Sequence, residues 1–218
     1  MLEPEDFRIS SVKHATDLRS FPCFVTEGFQ MKSFFKPSSA AITAWLSTIQ
    51  AQKPTFDIGS KDETRRHFKD HFRIQLGSGH DCYRKACQAI AEWKMFPTSM
   101  AELTPVTPAV EEGADLAVTF RAGPLWTTNP CRIVSVVNEK STRKESFSIA
   151  YATLPGHVER GWEQFKVELN NEDDAVWYEI NAYSRPKWWP VWLVLPYARN
   201  QQRRFRQLSG EAMLAAIK

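Results

Sequence analysis

The chain of 218 residues has only nine glycines and four cysteines, and no apolar run approaches the ~20 residues a membrane-spanning helix needs. Its net charge of +3 is too small for a general nucleic-acid binder, which concentrates basic residues on one face. There is no repeat, no low-complexity tract and no Cys-x-x-Cys pair. Met1–Ser10 is acidic and polar, without the apolar stretch of a secretory leader. Cys23, Cys82, Cys87 and Cys131 are therefore expected as reduced thiols in an intracellular, cytoplasmic setting. His67 and His71 alone have a metal-ligand spacing, but no glutamate follows His67 and no third ligand is evident, so no metal is expected.

The usual catalytic and cofactor signatures are also missing. Gly77-Ser78-Gly79 opens a helix, yet Cys82 stands where a dinucleotide fingerprint needs its third glycine, and no βαβ series surrounds it. A capped turn is the better account, and no cofactor is implied. No Ser-His-Asp arrangement is readable. Cys87 lies on the apolar stripe of a helix and Cys131 adjoins a strand, so neither reads as a nucleophile.

What is present is an ordinary globular composition, 43% hydrophobic and 24% charged, in a chain long enough to enclose a sizeable core. One domain over 1–218 is expected. Ala40–Ala51 reads as a short helix with Ser38 or Ser39 as N-cap, because Ile42, Trp45, Leu46 and Ile49 recur at three and four. Pro54–Asp70 reads as a loop and His71–Leu76 as a strand. A helix over Asp81–Lys94 follows, with Tyr83, Ala86, Cys87, Ile90 and Lys94 on one stripe. Pro97–Gly113, with three prolines, reads as a connector.

Beyond Gly113 the period becomes two, predicting strands at Asp115–Arg121, Cys131–Asn138, Ser146–Thr153, Trp162–Leu169 and Ala175–Ser184. The short links between them indicate an antiparallel meander. A terminal helix is predicted over Pro196–Ile217, with Phe205, Leu208, Ala212 and Ala215 on one stripe and Gly210 weakening it by about 1 kcal/mol. The fold class is α+β: a curved antiparallel sheet that needs a cover, with a long helix to provide it. A strongly bent sheet closed this way often leaves a hollow.

Five segments carry a resemblance: LGSGHDCYRKACQAIAEW at 76–93, TPV at 104–106, PCRIVSVVNE at 130–139, AYATLPGHVERGWEQF at 150–165 and WYEINAYSRP at 177–186. With them the chain resembles domain-of-unknown-function family nineteen-ninety, over a core of 71–218 that follows a variable part at 1–60. The resemblance implies a START/Bet v 1-like helix-grip fold of the SRPBCC, or polyketide-cyclase-like, group, with an apolar cavity between sheet and terminal helix. Two positions depart from the family pattern. Ala152 stands where glycine is usual, and Trp162 where an acidic residue is usual, which removes a carboxylate beside Glu163.

Candidate site residues follow from strand parity. Glu163 shares a face with Phe165, Val167 and Leu169, where desolvation raises a carboxyl pKa and suits it to proton transfer; the alternative is a structural acid paired with Arg132. His157, in the loop after Pro155-Gly156, could shuttle a proton with Glu159 or Glu163 fixing its tautomer, or simply tie the loop down. Tyr151 and Tyr178 could each aim a hydroxyl at a substrate carbonyl, or be core residues. Arg132 could bind an anionic group or a buried acid, and His71 and Arg73 could line a pocket mouth. Phe165, Trp177 and Trp189 complete the expected ligand-binding set.

From Arg185 onward there are seven Lys/Arg and one Asp/Glu. Trp188, Trp189 and Trp192 precede Arg199, Arg203, Arg204 and Arg206, a pattern open to three readings: plain packing, a pocket gate or contact with a membrane surface. The expected function is cofactor-independent cyclisation or lactonisation of a polyketide-like, hydrophobic carbonyl compound by acid–base catalysis. The alternative is a non-catalytic carrier or sensor of a lipid or apolar metabolite.

Overall fold

The computed structural model describes residues 24–26, 30–56, 68–186 and 195–218. Within them one antiparallel sheet runs β1(Phe24–Thr26), β2(Gln30–Ser33), β6(Leu125–Lys140), β7(Lys144–Thr153), β8(Glu159–Asn170), β9(Ala175–Pro186), β3(Phe68–Ser78). β5(Asp115–Ala122) pairs with β6, and β4(Ala101–Thr104) pairs with β5. The expected meander is the run β5 to β9. β3, far earlier in the chain, lies antiparallel to β9, from Phe68 opposite Ser184 to Ser78 opposite Ala175. Register shifts at Gln75/Gly77 in β3 and Ile133/Ser135 in β6 interrupt the ladder, and such irregularities bend a strand.

Among the described residues, three helices pack on the sheet. α1(Ser39–Ile49) starts where Ser38 Oγ accepts the Ala41 N–H at 3.2 Å, as its N-cap chemistry requires. It buries Ile42, Leu46 and Ile49 with Met31, Ala117 and Leu154 in a small cluster of their own. α2(Gly79–Ala91) and α3(Leu195–Ala216) enter the main cluster, with Ile133, Ile149, Phe165, Val167, Tyr178 and Ile180 of the sheet against Ile90 and Met213. The architecture is therefore α+β helix-grip.

Several expectations change. The prolines of 97–113 do not prevent a strand: Ala101–Thr104 pairs with β5, an edge position where lost N–H donors cost least. Asp70 belongs to β3 rather than to a loop. Ser78 is the N-cap of α2 but makes no side-chain cap bond; Gly79, at φ +82°, makes the turn, and its N–H bonds Asp174 O at 2.8 Å. The buried stripe of α3 is Arg206, Ser209, Gly210 and Met213, one position on from the apolar stripe. Gly210 is there for approach: a Cβ would come within 2.9 Å of the Phe72 ring.

Candidate functional site

At one end of the sheet the helices do not fill the concave face, and a cavity of about 560 Å³ remains. Val118, Phe120, Ala122 and Leu125 of the β5–β6 hairpin, Phe96 and Met100 before β4, and Tyr197 and Phe205 of α3 supply its apolar wall. Thr127, Asn129, Tyr151, Thr153, His157, Glu159 and Glu163 add polar groups along β6, β7 and β8. Phe96 closes the inner end by packing on Phe165 and Phe205, each at a ring separation of 5.5 Å.

Parity delivers the carboxylates. Along β8 the concave-face positions are Glu159, Gly161, Glu163 and then Phe165, so two glutamates flank one glycine. Gly161 cannot be replaced without movement, because a Cβ would lie 1.7 Å from the Tyr183 carbonyl oxygen of β9. The Tyr151 hydroxyl, opposite Glu163 in the β7–β8 register, donates to its Oε2. Burial pushes the Glu163 carboxyl up, while the Tyr151 bond and the Arg206 charge oppose that shift. Glu159 is raised to about 7, first by burial and then by Glu163, against the pull of Arg199 and the Gln202 amide. Gln202 Nε2 donates to Glu159 at 3.1 Å. Tyr151 is raised well above its ordinary value, again chiefly by burial, and so remains a hydrogen-bond donor near neutrality.

A third carboxylate closes this corner. Asp70 of β3 receives a two-pronged contact from the Arg199 guanidinium, and Arg206 lies 3.2 Å from the same carboxylate. Two arginines of α3 thus face Asp70, Glu159 and Glu163. With one more acid than base, the cluster comes closest to neutrality when one proton is shared within it.

The loop between β7 and β8 is held from below. Asn129 is fully buried; its Oδ1 accepts the Val158 N–H at 3.2 Å, and its Nδ2 donates to Val118 O and Thr127 Oγ1. Thr153 Oγ1 accepts the Gly161 N–H at 3.1 Å. His157 Nδ1 lies 2.9 Å from the Glu159 backbone N. A backbone N–H can only donate, so Nδ1 is the acceptor and the neutral ring carries its proton on Nε2. The tautomer is fixed by a Glu159 backbone group rather than by a carboxylate.

Of the expected residues, Glu163, Tyr151 and His157 meet at the cavity. Five others are used elsewhere. Tyr178 is fully buried and its hydroxyl bonds Ser209 at 2.7 Å, joining sheet to helix. Arg132 is a structural clamp. It makes a bidentate pair with Asp115 and donates to Gln50 O and Gln52 O past the end of α1, a favourable place for a cation. Arg73 lies on the opposite face of the sheet, paired with Glu179 at 2.9 Å and stacked 4.2 Å from the Trp177 ring. Trp177 is therefore not a lining residue. His71 has the same parity as Arg73 and bonds Asn181 Oδ1 at 2.8 Å. Phe165 supports the cavity through Phe96 without lining it. Trp188, Trp189 and Trp192 lie outside the described residues, as does His67.

Sequence reading missed Asp70, Gln202 and the inward role of Arg199 and Arg206. Position 206 does stand at i, i+3, i+4, i+7 with Ser209, Gly210 and Met213. That stripe is spaced as a buried face, but too polar to register as one. No group of three or more His, Cys, Asp or Glu that could hold a metal occurs among the described residues, and none of their helices is long and apolar enough to cross a membrane.

Residues 57–212 match the family described as "Domain of unknown function (DUF1990)". A UPF0548 protein of Arabidopsis thaliana is 34% identical over 150 residues, spanning 68% of this chain and 72% of the relative. Among solved structures, a hypothetical protein from Helicobacter pylori aligns with a TM-score of 0.46 at 10% identity, over 72% of this chain and 91% of its own. A norcoclaurine synthase point mutant from Thalictrum flavum aligns with a TM-score of 0.37 at 15% identity, over 66% and 95%.

Proposed function

The chain belongs to the DUF1990 family, and we propose that its cavity takes up an apolar carbonyl compound and moves protons on it without a cofactor. The observation that carries this reading is the Tyr151–Glu163 pair, a hydroxyl donating to a carboxylate whose pKa is raised, at the wall of an apolar cavity. Desolvation makes such a carboxylate a stronger base than it would be in water. A tyrosine beside it can transfer its hydrogen bond to a substrate oxygen as negative charge develops there. Glu159, with a pKa near neutrality, can return a proton within the same site. His157 offers Nε2–H as a further donor.

This chemistry is abstraction of a proton next to a carbonyl, the first event in closing a flexible polyketide-like chain into a ring by carbon–carbon bond formation. The apolar wall would hold such a chain folded, which is an entropic contribution to rate. The same groups could promote lactonisation by activating a hydroxyl and polarising an ester carbonyl.

The test uses 2-tetralone as a probe, in deuterated buffer, with exchange of its acidic C–H groups followed by NMR. Wild-type protein is expected to accelerate exchange, and Glu163→Gln to lose about a hundredfold of that acceleration, the typical weight of one general base. Bound 2-tetralone with no acceleration would instead favour the carrier reading. Absence of binding would remove the apolar-cavity reading altogether.

A further inference from the structure

Four residues form one row across the sheet. Tyr151 of β7 is opposite Glu163 of β8, Glu163 is opposite Ala182 of β9, and Ala182 is opposite Asp70 of β3. Ala182 carries only a methyl group, and it lines the cavity together with the carboxylates on either side of it. Against this row α3 sets Arg199, Gln202 and Arg206, spaced three and four apart and hence on one face of the helix.

Arg199 gives both ends of its guanidinium to Asp70, and its Nη1 also donates to Gln202 Oε1 at 2.7 Å. A guanidinium has no acceptor, so the Gln202 carbonyl must face Arg199 and its Nε2 must face the other way. There Nε2 meets Glu159, 3.1 Å from Oε1 and 3.3 Å from Oε2. The pull of Arg199 thus reaches Glu159 through a neutral amide. Glu163, in contrast, receives the Tyr151 hydroxyl on one oxygen and the charge of Arg206. An N–H divided between two oxygens stabilises an anion less than a phenolic O–H aimed at one. The proton shared within this cluster therefore rests on Glu159.

We infer that Gln202 is a positioning residue, which aims the Glu159 carboxyl and moderates its hold on the proton that the substrate oxygen takes. In the exchange reaction the C–H proton passes to Glu163 and its electron pair moves to the carbonyl oxygen, which takes the proton of Glu159. The reverse transfers restore the ketone and both carboxyl groups. The inference deepens the proposed function and rests on it, because it needs Glu163 as the base.

The groups facing the two glutamates are Asp70 of β3, Tyr151 of β7, Arg199 and Arg206 of α3, His157 before β8 and, deeper, Cys131 and Tyr178. Lys32, Arg121 and Arg204 line the rest of the cavity. All are retained when only position 202 is changed.

The test follows side-chain carboxyl resonances of glutamate by NMR across a pH titration of 13C-labelled protein, with Glu159→Gln and Glu163→Gln to assign them. In the wild type the step at higher pH should be larger for Glu159 than for Glu163. Gln202→Met keeps the length of the side chain without a donor or acceptor, and should move the Glu159 step upward by about half a unit to one unit. Gln202→Glu sets a carboxylate against Glu159 and should move it further. The alkaline limb of 2-tetralone exchange should shift the same way in Gln202→Met. A larger high-pH step at Glu163 in the wild type, or a Glu159 step unmoved in both variants, overturns the inference. An alkaline limb that stays in place while the Glu159 step moves also overturns it, since the acid is then another group. If wild-type protein does not accelerate exchange at all, the proposed function fails, and the titration, which needs no substrate, still decides where the proton rests.

Discussion

The two ends of the space between sheet and terminal helix are built from the same strands and the same helix, yet they have opposite interiors. At the closed end Phe165, Val167, Leu169, Tyr178 and Ile180 are fully buried against Ile90 and Met213, and the Tyr178 hydroxyl is satisfied by Ser209 of α3. At the open end β8 changes from apolar residues to Glu163, Gly161 and Glu159, and α3 presents Arg206, Gln202 and Arg199 in place of Met213 and Ser209. Packed apolar surface stabilises a fold, whereas desolvated charge costs stability and is kept where chemistry needs it. The chain therefore packs its apolar residues at one end and gathers its desolvated carboxyl groups at the other.

Equivalent truncations should separate the ends most clearly. Phe165→Ala removes a ring with no solvent exposure from the closed end and should cost about 3–5 kcal/mol, read as a shift in the urea midpoint. An effect below about 1 kcal/mol would mean that the closed end is not the stable one.

Next in size is a pH-dependent effect at Glu159. Its ordinary value is 4.5, and in the folded protein it is raised to about 7. Between those values the native state holds a proton that the unfolded chain has released, so this residue's contribution falls as pH rises from about 4.5 to 7. The penalty at pH 8 is on the order of 3 kcal/mol. Glu159→Gln should therefore stabilise the protein at pH 8 and change little at pH 4, measured by denaturation at both pH values. The reverse trend would show that Glu159 is a stabilised anion.

Gly161→Ala tests the junction between the ends, where a methyl group would collide with the Tyr183 carbonyl. About 1–3 kcal/mol of destabilisation is expected, with loss of 2-tetralone exchange because Glu159 and Glu163 lose their common alignment. The smallest effect should come from Phe120→Ala in the cavity wall, about 1 kcal/mol, since that ring already faces open space. A loss as large as that of Phe165→Ala would mean that the hollow is filled in solution.

The meander from β5 to β9 was legible because each strand keeps period two and is bounded by turn residues. The facing of Glu163 and Tyr151 followed from the same parity. The far edge was not legible. Phe68-Lys69-Asp70 is too polar to advertise a strand, and it becomes one by pairing with Tyr183 and Ser184 more than a hundred residues later. Nor could spacing separate a cavity arginine from a surface one. Arg132 and Arg206 look alike in the chain, but one clamps α1 to the outer side of the sheet while the other faces Asp70 inside.

The departure at Trp162 illustrates the same limit. Strand parity puts its side chain on the face of β8 opposite Glu163, where it stacks on Tyr183 at 5.2 Å. The second carboxylate beside Glu163 is supplied by Glu159, two positions along the same face.

What the sequence determined by itself was local: which segments extend or coil, which side of each strand is apolar, and which residue types could exchange protons. Those properties depend on near neighbours and on the period of the backbone. The tertiary structure decided which polar groups would be deprived of water together, because β2, β3, β8 and α3 meet only when the sheet curls around its last helix. A pKa near neutrality for Glu159 is a consequence of that meeting, since the work of ionising a group depends on everything that surrounds it.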